Sequence, residues 1–200
     1  MMIALMAAIL NFLINPGFSL MPLLVVNFFK GGVWELGWTD SIFGIGSVAG
    51  GLLLSVWGGF KRKIFTTLFG VIGMGVGILI ITLAPANLFL LVIIGCGITG
   101  LMNPICNGSL GAIMMEHISP EIQGRVFSML NSLATAMSPL GLLIAAPVAE
   151  LFGIHAWFLV GAIGCLVMGI GAFFIPAIVH IEENHHVMKS PEIVRSDLNS

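Results

Sequence analysis

"LINPGFSL", residues 13–20, and "MNPICNGSL", residues 102–110, each set an Asn-Pro pair in the middle of a long apolar run. An amide in such a run costs free energy until it finds a partner. A proline there removes a backbone donor and crowds the preceding turn. Both stretches continue to Ser-Leu a few residues later. Two interruptions with matching spelling point to a repeated unit, and the rest of the chain can be read outward from them.

The runs that hold these pairs dominate the composition. Of 200 residues, 58% are hydrophobic and only 8% charged, where a soluble domain carries roughly a quarter charged residues. So few charges cannot cover a water-facing surface, and the chain reads as an all-α, polytopic integral membrane protein. A net charge of −2 gives no footing for nucleic acid. Cys96, Cys106 and Cys165 all fall inside apolar runs and read as small packing residues, not as disulfide partners or metal ligands. No cofactor or metal is expected. His185 and His186 have no further ligands spaced nearby and read as solvated tail. Met1 leads straight into apolar sequence without a basic region, so residues 1–29 read as a mature span.

A bilayer-crossing helix needs about 20 apolar residues. Six segments qualify: roughly 2–28, 38–60, 64–84, 88–115, 125–151 and 156–179. Together they make a six-helix bundle over 1–180, followed by a polar tail at 181–200. The runs lack the alternation that a membrane barrel requires. With six spans both termini share a side, and that side carries Lys61, Arg62, Lys63, Arg125, Lys189 and Arg195 against Lys30 opposite. The positive-inside bias puts both termini in the cytoplasm of a cell inner or plasma membrane. In "HISPEIQGR", residues 117–125, Ser119 suits an N-cap, Pro120 the first helical position and Glu121 the first turn.

The repeat accounts for the opening pairs. Asn11, Asn15 and Ser19 fall four apart in the first span, and Thr99, Asn103 and Asn107 do the same in the fourth, so each set stacks on one helical face. "SVAGGLLLSV" at 47–56 lies against "SPLGLLIAAP" at 138–147, an offset of 91 residues. Spans three and six are almost wholly apolar. The chain therefore reads as two three-helix units, each ordered polar-striped, intermediate, greasy. An odd number of helices inverts the second unit relative to the first, an arrangement typical of secondary transporters, whose sites lie near the midplane on interrupted helices. Spans one and four are expected to line a water-accessible path, and three and six to face lipid.

"TDSIFGIGSVAGG" (39–51), "SPEIQGRVFSMLNSL" (119–133) and the order of polar and apolar helices resemble the C-terminal six helices of the major facilitator superfamily. The branch they are similar to holds macrolide-efflux proteins and the enterobactin exporter. The resemblance covers about residues 1–180, half of a usual twelve-helix transporter. It implies alternating access against a second six-helix bundle, with proton-coupled efflux (antiport) of drug-like or amphipathic small molecules. The family's basic loop motif matches Gly58, Gly59, Lys61, Arg62 and Lys63 in "GGFKRK", but the acid of that motif is missing here.

The pathway candidates are Asn11, Asn15, Thr99, Asn103 and Asn107, with Asn131 and Thr135 from the polar stripe of span five; the competing role is structural bonding between helices. Pro16 and Pro104 free carbonyls and permit bending. Gly46-xxx-Gly50 and Gly73-xxx-Gly77 read as close-packing motifs. Asp40 is the acid nearest a membrane interior. It reads first as a helix N-cap within Thr39-Asp40-Ser41, and second as a proton-coupling group. Lys61, Arg62, Lys63, Glu121 and Arg125 form the candidate gating loops on the cytoplasmic side.

Enzyme classes find no support. No His or acid lies deep in any span, and "GCGITG" at 95–100 sits inside a membrane run, where the strand a dinucleotide fingerprint needs is missing. Expected partners are lipid, a small-molecule substrate and a second bundle. A non-transporting scaffold or accessory half-protein remains the alternative. The start in mid-helix favours a fragment or split-gene product. Substrate, direction and coupling ion lie beyond the residues.

Overall fold

The computed structural model describes residues 2–174. The expected tail at 181–200, with His185, His186, Lys189 and Arg195, and the last residues of the sixth expected span lie outside them. Six α-helices follow in order: α1 Met2–Leu23, α2 Val33–Trp57, α3 Lys63–Leu83, α4 Phe89–His117, α5 Pro120–Phe152 and α6 Ile154–Phe174. No strand occurs among the described residues.

Local chemistry sets the boundaries. Pro22 interrupts the last turn of α1, and the chain widens into a π-helical turn over Leu24–Phe28. There the Phe29 N–H donates to the Leu24 carbonyl at 3.3 Å and the Gly31 N–H to the Val25 carbonyl at 3.0 Å. Lys30 then takes a left-handed φ of 54° to leave the helix. Helix α2 starts at Val33, five residues before the expected 38, because Glu35 reaches back and accepts the Gly32 N–H at 2.7 Å. That contact corrects the cap assigned to Asp40, which sits two turns inside α2. At the other end Gly58 (φ 73°) closes α2 by donating its N–H to the Leu54 carbonyl at 2.8 Å. Ser119 and Pro120 fall at the N-cap and first position of α5 as expected, though the Ser119 hydroxyl makes no capping bond. The 117–125 stretch is far more helical than a loop. Gln123 folds back from α5 and donates to the carbonyls of Met115 (3.0 Å) and Ile118 (2.9 Å), leaving only residues 118–119 between the helices.

Helix α3 lies between α4 and α6, α2 packs on α4, and α1 packs on α5 and α6. Exchanging the two three-helix units turns the α1·α5 contact into α4·α2 and the α3·α4 contact into α6·α1. Both members of these two exchanged pairs are present, as an inverted repeat requires, whereas the α5·α6 contact has no comparable α2·α3 counterpart.

The two Asn-Pro sites explain how those contacts form. Pro104 has no N–H for the Gly100 carbonyl, and the Ser47 hydroxyl of α2 lies 3.2 Å from that oxygen, its single proton shared with the nearer Phe43 carbonyl of its own helix at 2.9 Å. Beside it, a Cβ on Gly50 would strike the Leu101 carbonyl oxygen and lie 2.9 Å from Pro104 Cγ. In the other unit Pro16 leaves the Phe12 carbonyl without its helical donor. A Cβ on Gly141 of α5 would meet the Pro16 ring and lie 3.0 Å from that carbonyl. Gly50 and Gly141 are 91 residues apart, the offset of the aligned α2 and α5 stretches. Each proline is thus seated on a glycine of the neighbouring helix. The seats fall at matching places in the two units.

Small residues also draw α3 inward. Gly70, Gly73 and Gly77 leave no room for a Cβ against Cys106, Met102 and Thr99 of α4, and Gly75 packs at 3.1 Å on Cys165 of α6. Val71, Met74, Ile78 and Ile81 join the main core with Val92, Cys96, Ala162 and Cys165. The expectation that α3 faces lipid therefore holds for one stripe alone. Phe69, Val76 and Leu83, seven residues apart, are its exposed large side chains. Helix α6 keeps a wider exposed apolar face through Leu159, Ile163, Val167 and Ile170.

Among the described residues, five helical stretches are long and apolar enough to cross a membrane: Ala8–Phe28, Val33–Trp57, Lys63–Leu83, Phe89–Glu116 and Ile154–Ala172. Helix α5 is long enough at 33 residues, and among its described residues Pro139–Phe152 forms a further apolar stretch.

Candidate translocation surface and bundle cavity

The asparagines pair within their own helices. Asn15 donates from Nδ2 to Asn11 Oδ1 at 3.2 Å, and the Ser19 hydroxyl donates to the Asn15 carbonyl at 3.3 Å. In α4, Asn107 Nδ2 reaches the Asn103 carbonyl at 3.1 Å and Asn103 Oδ1 at 3.2 Å. A side-chain amide ladder of one turn therefore flanks each proline, on its N-terminal side in α1 and its C-terminal side in α4. Asn11, Asn15 and Asn103 are half-buried and Asn107 is exposed. In α5, Thr135 donates to the Asn131 carbonyl at 2.8 Å, and Ser128, Asn131, Ser132 and Thr135 are all exposed.

Thr99 parts from this group. It is 1% exposed, its hydroxyl donates to the Gly95 carbonyl at 2.7 Å, and it faces a cavity of about 270 Å³. The cavity lies where the C-terminal ends of α1 and α3 meet the N-terminal parts of α2, α4 and α6. Its walls are mostly apolar and aromatic, with Phe18, Phe43, Trp157 and Phe158 around Asp40. Phe18 meets Phe43 edge-on at 5.1 Å between ring centroids. Asp40 is exposed, so its carboxylate stands where the cavity opens. The Asn stripes do not contribute to this lining.

At the opposite end of the bundle the basic turn gains an acid from elsewhere in the chain. Lys63, the first residue of α3, pairs with Glu116 near the end of α4. Arg62 lies over the Phe65 ring at 5.9 Å. The Phe60 N–H donates to Thr66 Oγ1 at 2.8 Å, which fixes the turn itself. Lys61, Glu121 and Arg125 are exposed on the same end. Sequence spacing had no means of finding Glu116, which is 53 residues from its partner. Gln123 was also missed, although its place in the first turn of α5 gave a signal for capping. No group of three or more His, Cys, Asp or Glu that could hold a metal occurs among the described residues.

The family model of the Major Facilitator Superfamily matches residues 1–193. The chain belongs to the major facilitator superfamily. It is 33% identical over 148 residues to macrolide efflux protein A of Streptococcus pyogenes, a match covering 74% of this chain and 36% of the relative. To the multidrug efflux pump Tap of Mycolicibacterium fortuitum it is 32% identical over 148 residues, with the same coverage. Macrolide efflux protein A of Enterococcus faecalis is 32% identical over 131 residues, 66% of this chain and 41% of that protein. The chain thus spans little more than a third of the curated relatives it matches. No solved structure matches it. As a superfamily member with apolar spanning helices it is a multi-pass membrane protein of transporter type, not an enzyme.

Proposed function

We propose that this chain is the C-terminal bundle of a secondary transporter that exports drug-like or amphipathic small molecules by alternating access against a second six-helix bundle. The observation that carries the reading is its 33% identity over 148 residues to a protein named for macrolide efflux. In this reading all six helices cross a cell inner or plasma membrane, with both termini cytoplasmic. Aromatic side chains support the placement of α2: Trp34 and Trp38 are exposed at one end, Trp57 and Phe60 at the other. Rings at the two water interfaces are a signature of spanning helices.

Asn11, Asn15, Asn103 and Asn107 line the path with the exposed Asn131 and Thr135. The Asn15 and Asn107 amides donate within their own helices, to Asn11 and Asn103. Pro16 and Pro104 give the two pathway helices points of compliance, each held by a glycine. Asp40 is the proton-coupling acid of this bundle. The Lys63–Glu116 pair and the neighbouring Lys61, Arg62, Glu121 and Arg125 form the cytoplasmic gate.

Native mass spectrometry from nanodiscs tests the proposal. A stable pair of bundles, with itself or a co-purified partner, is expected. A strict monomer closes no pathway and would overturn the reading for this chain.

A further inference from the structure

The two ends of the bundle carry opposite charge. Among the described residues, one end sets Lys30 against Glu35, Asp40 and Glu150, and the other sets Lys61, Arg62, Lys63 and Arg125 against Glu116 and Glu121. At this basic end Lys63 takes Glu116, whereas Lys61 is exposed and pairs with no acid among the described residues. The turn that presents Lys61 is fixed. Gly58 and Gly59 both take left-handed φ values, 73° and 79°, and a Cβ on Gly59 would lie 2.7 Å from Thr66 Oγ1, the oxygen that accepts the Phe60 N–H. The Phe60 ring then meets Trp57 edge-on at 4.8 Å and Phe69 at 6.0 Å between centroids, and all three rings are exposed. They close one end of a wedge, because α2 and α3 each pack along α4 but make no comparable contact with each other.

We propose that this corner is a docking site for one anionic phospholipid, its headgroup phosphate paired with Lys61 and an acyl chain lying in the wedge between α2 and α3. Charge complementarity selects the occupant. A phosphatidylcholine carries its own ammonium beside the phosphate and gains little from Lys61. A phosphatidylglycerol brings a net negative charge that Lys61 balances. Basic residues near a bilayer surface attract anionic lipid in general, and rings such as Trp57 rest at headgroup depth. Here the cation and the rings are held together by one rigid turn, so binding orders little that was free before. Below the turn, Phe69 and Val76 continue the exposed stripe of α3 and give an acyl chain apolar surface to follow. The site lies on one bundle, apart from the Asn stripes and the cavity. Its occupancy needs neither a second bundle nor transport.

Trp57 is itself the reporter. In the full chain Trp34 and Trp38 are replaced by Phe, and the buried Trp157 stays as a constant background. Fluorescence is read in phosphatidylcholine bilayers containing brominated phosphatidylglycerol or, at equal mole fraction, brominated phosphatidylcholine, since bromine quenches a ring it touches. Brominated phosphatidylglycerol is expected to quench with about fivefold higher relative affinity, the scale of one basic residue at an anionic surface. Lys61→Gln, at an exposed position, should abolish that preference, and Lys61→Arg should keep it. A second protein with Trp38 and Trp57 replaced by Phe reports through Trp34 on the acidic end, where no preference is expected. Equal quenching by the two lipids at Trp57, or a preference that survives Lys61→Gln, overturns the site. An equal preference at Trp34 and Trp57 also overturns it, since the effect would then belong to the whole surface. Because lipid contact is read on a single bundle, a failure here is distinct from a monomer in the mass spectrum.

Discussion

The α2·α4 and α1·α5 contacts are the same joint built twice, with different tightness. In the first, Gly46 and Gly50 of α2 face the backbone of Gly97, Gly100 and Leu101 of α4, and the Ser47 hydroxyl reaches the carbonyl that Pro104 frees. In the second, Gly141 is the glycine that provides the close approach among the described residues, against Pro16 and the Phe12 carbonyl. A glycine seat lets two backbones touch, and each added small residue lengthens the contact. The α2·α4 joint is therefore the stiffer one. The α1·α5 joint, beside the π-helical exit of α1, is the one with freedom to rearrange.

Substitutions can break this asymmetry in order of size. Gly50→Ala drives a methyl into the Leu101 carbonyl, which the α4 backbone cannot withdraw. It should destabilise the bundle by about 2–3 kcal/mol, read by unfolding in mixed micelles. Gly141→Ala meets a proline ring that can repucker and should cost about 1–2 kcal/mol in the same assay. Equal losses at the two glycines would remove the stiff and compliant distinction. Ser47→Ala removes a hydroxyl whose single proton also serves the nearer Phe43 carbonyl of its own helix, so it should cost no more than about 0.6 kcal/mol, the mean for an interhelical bond in membrane helices. Glu116→Gln breaks the ion pair at the far end. With the side chains of Lys63 and Glu116 36% and 56% exposed, it should cost below about 1 kcal/mol and shrink further with salt.

Much of this joint was legible in the residues. The Asn-Pro pairs, the 91-residue offset and the Gly46-xxx-Gly50 spacing all fall on contacts that the structure forms. Local reading failed where a partner came from outside the window. Asp40 sits in good capping sequence, yet Glu35 caps the helix earlier through Gly32, where no Ser or Thr advertised a start. Glu116 completes the basic turn from another helix, which spacing along the chain cannot reveal. Helix α3 read as lipid-facing because it is almost wholly apolar. Its glycines at 70, 73, 75 and 77 instead let α4 and α6 close over most of it. In a bilayer, apolarity alone does not separate a lipid-facing helix from a central one; small residues do. The cavity was not legible at all, since five helices contribute to it.

The central claim is that the two Asn stripes face water in the assembled transporter. Thiol labelling tests it most directly. Asn15→Cys and Asn103→Cys are placed in a background with Cys96, Cys106 and Cys165 replaced by Ala, with Val76→Cys and Ile163→Cys as exposed apolar controls. The account predicts that both Asn positions react with a charged, membrane-impermeant reagent while both controls stay unmodified. Unreactive Asn15 and Asn103 beside intact folding would make the stripes structural and contradict the pathway.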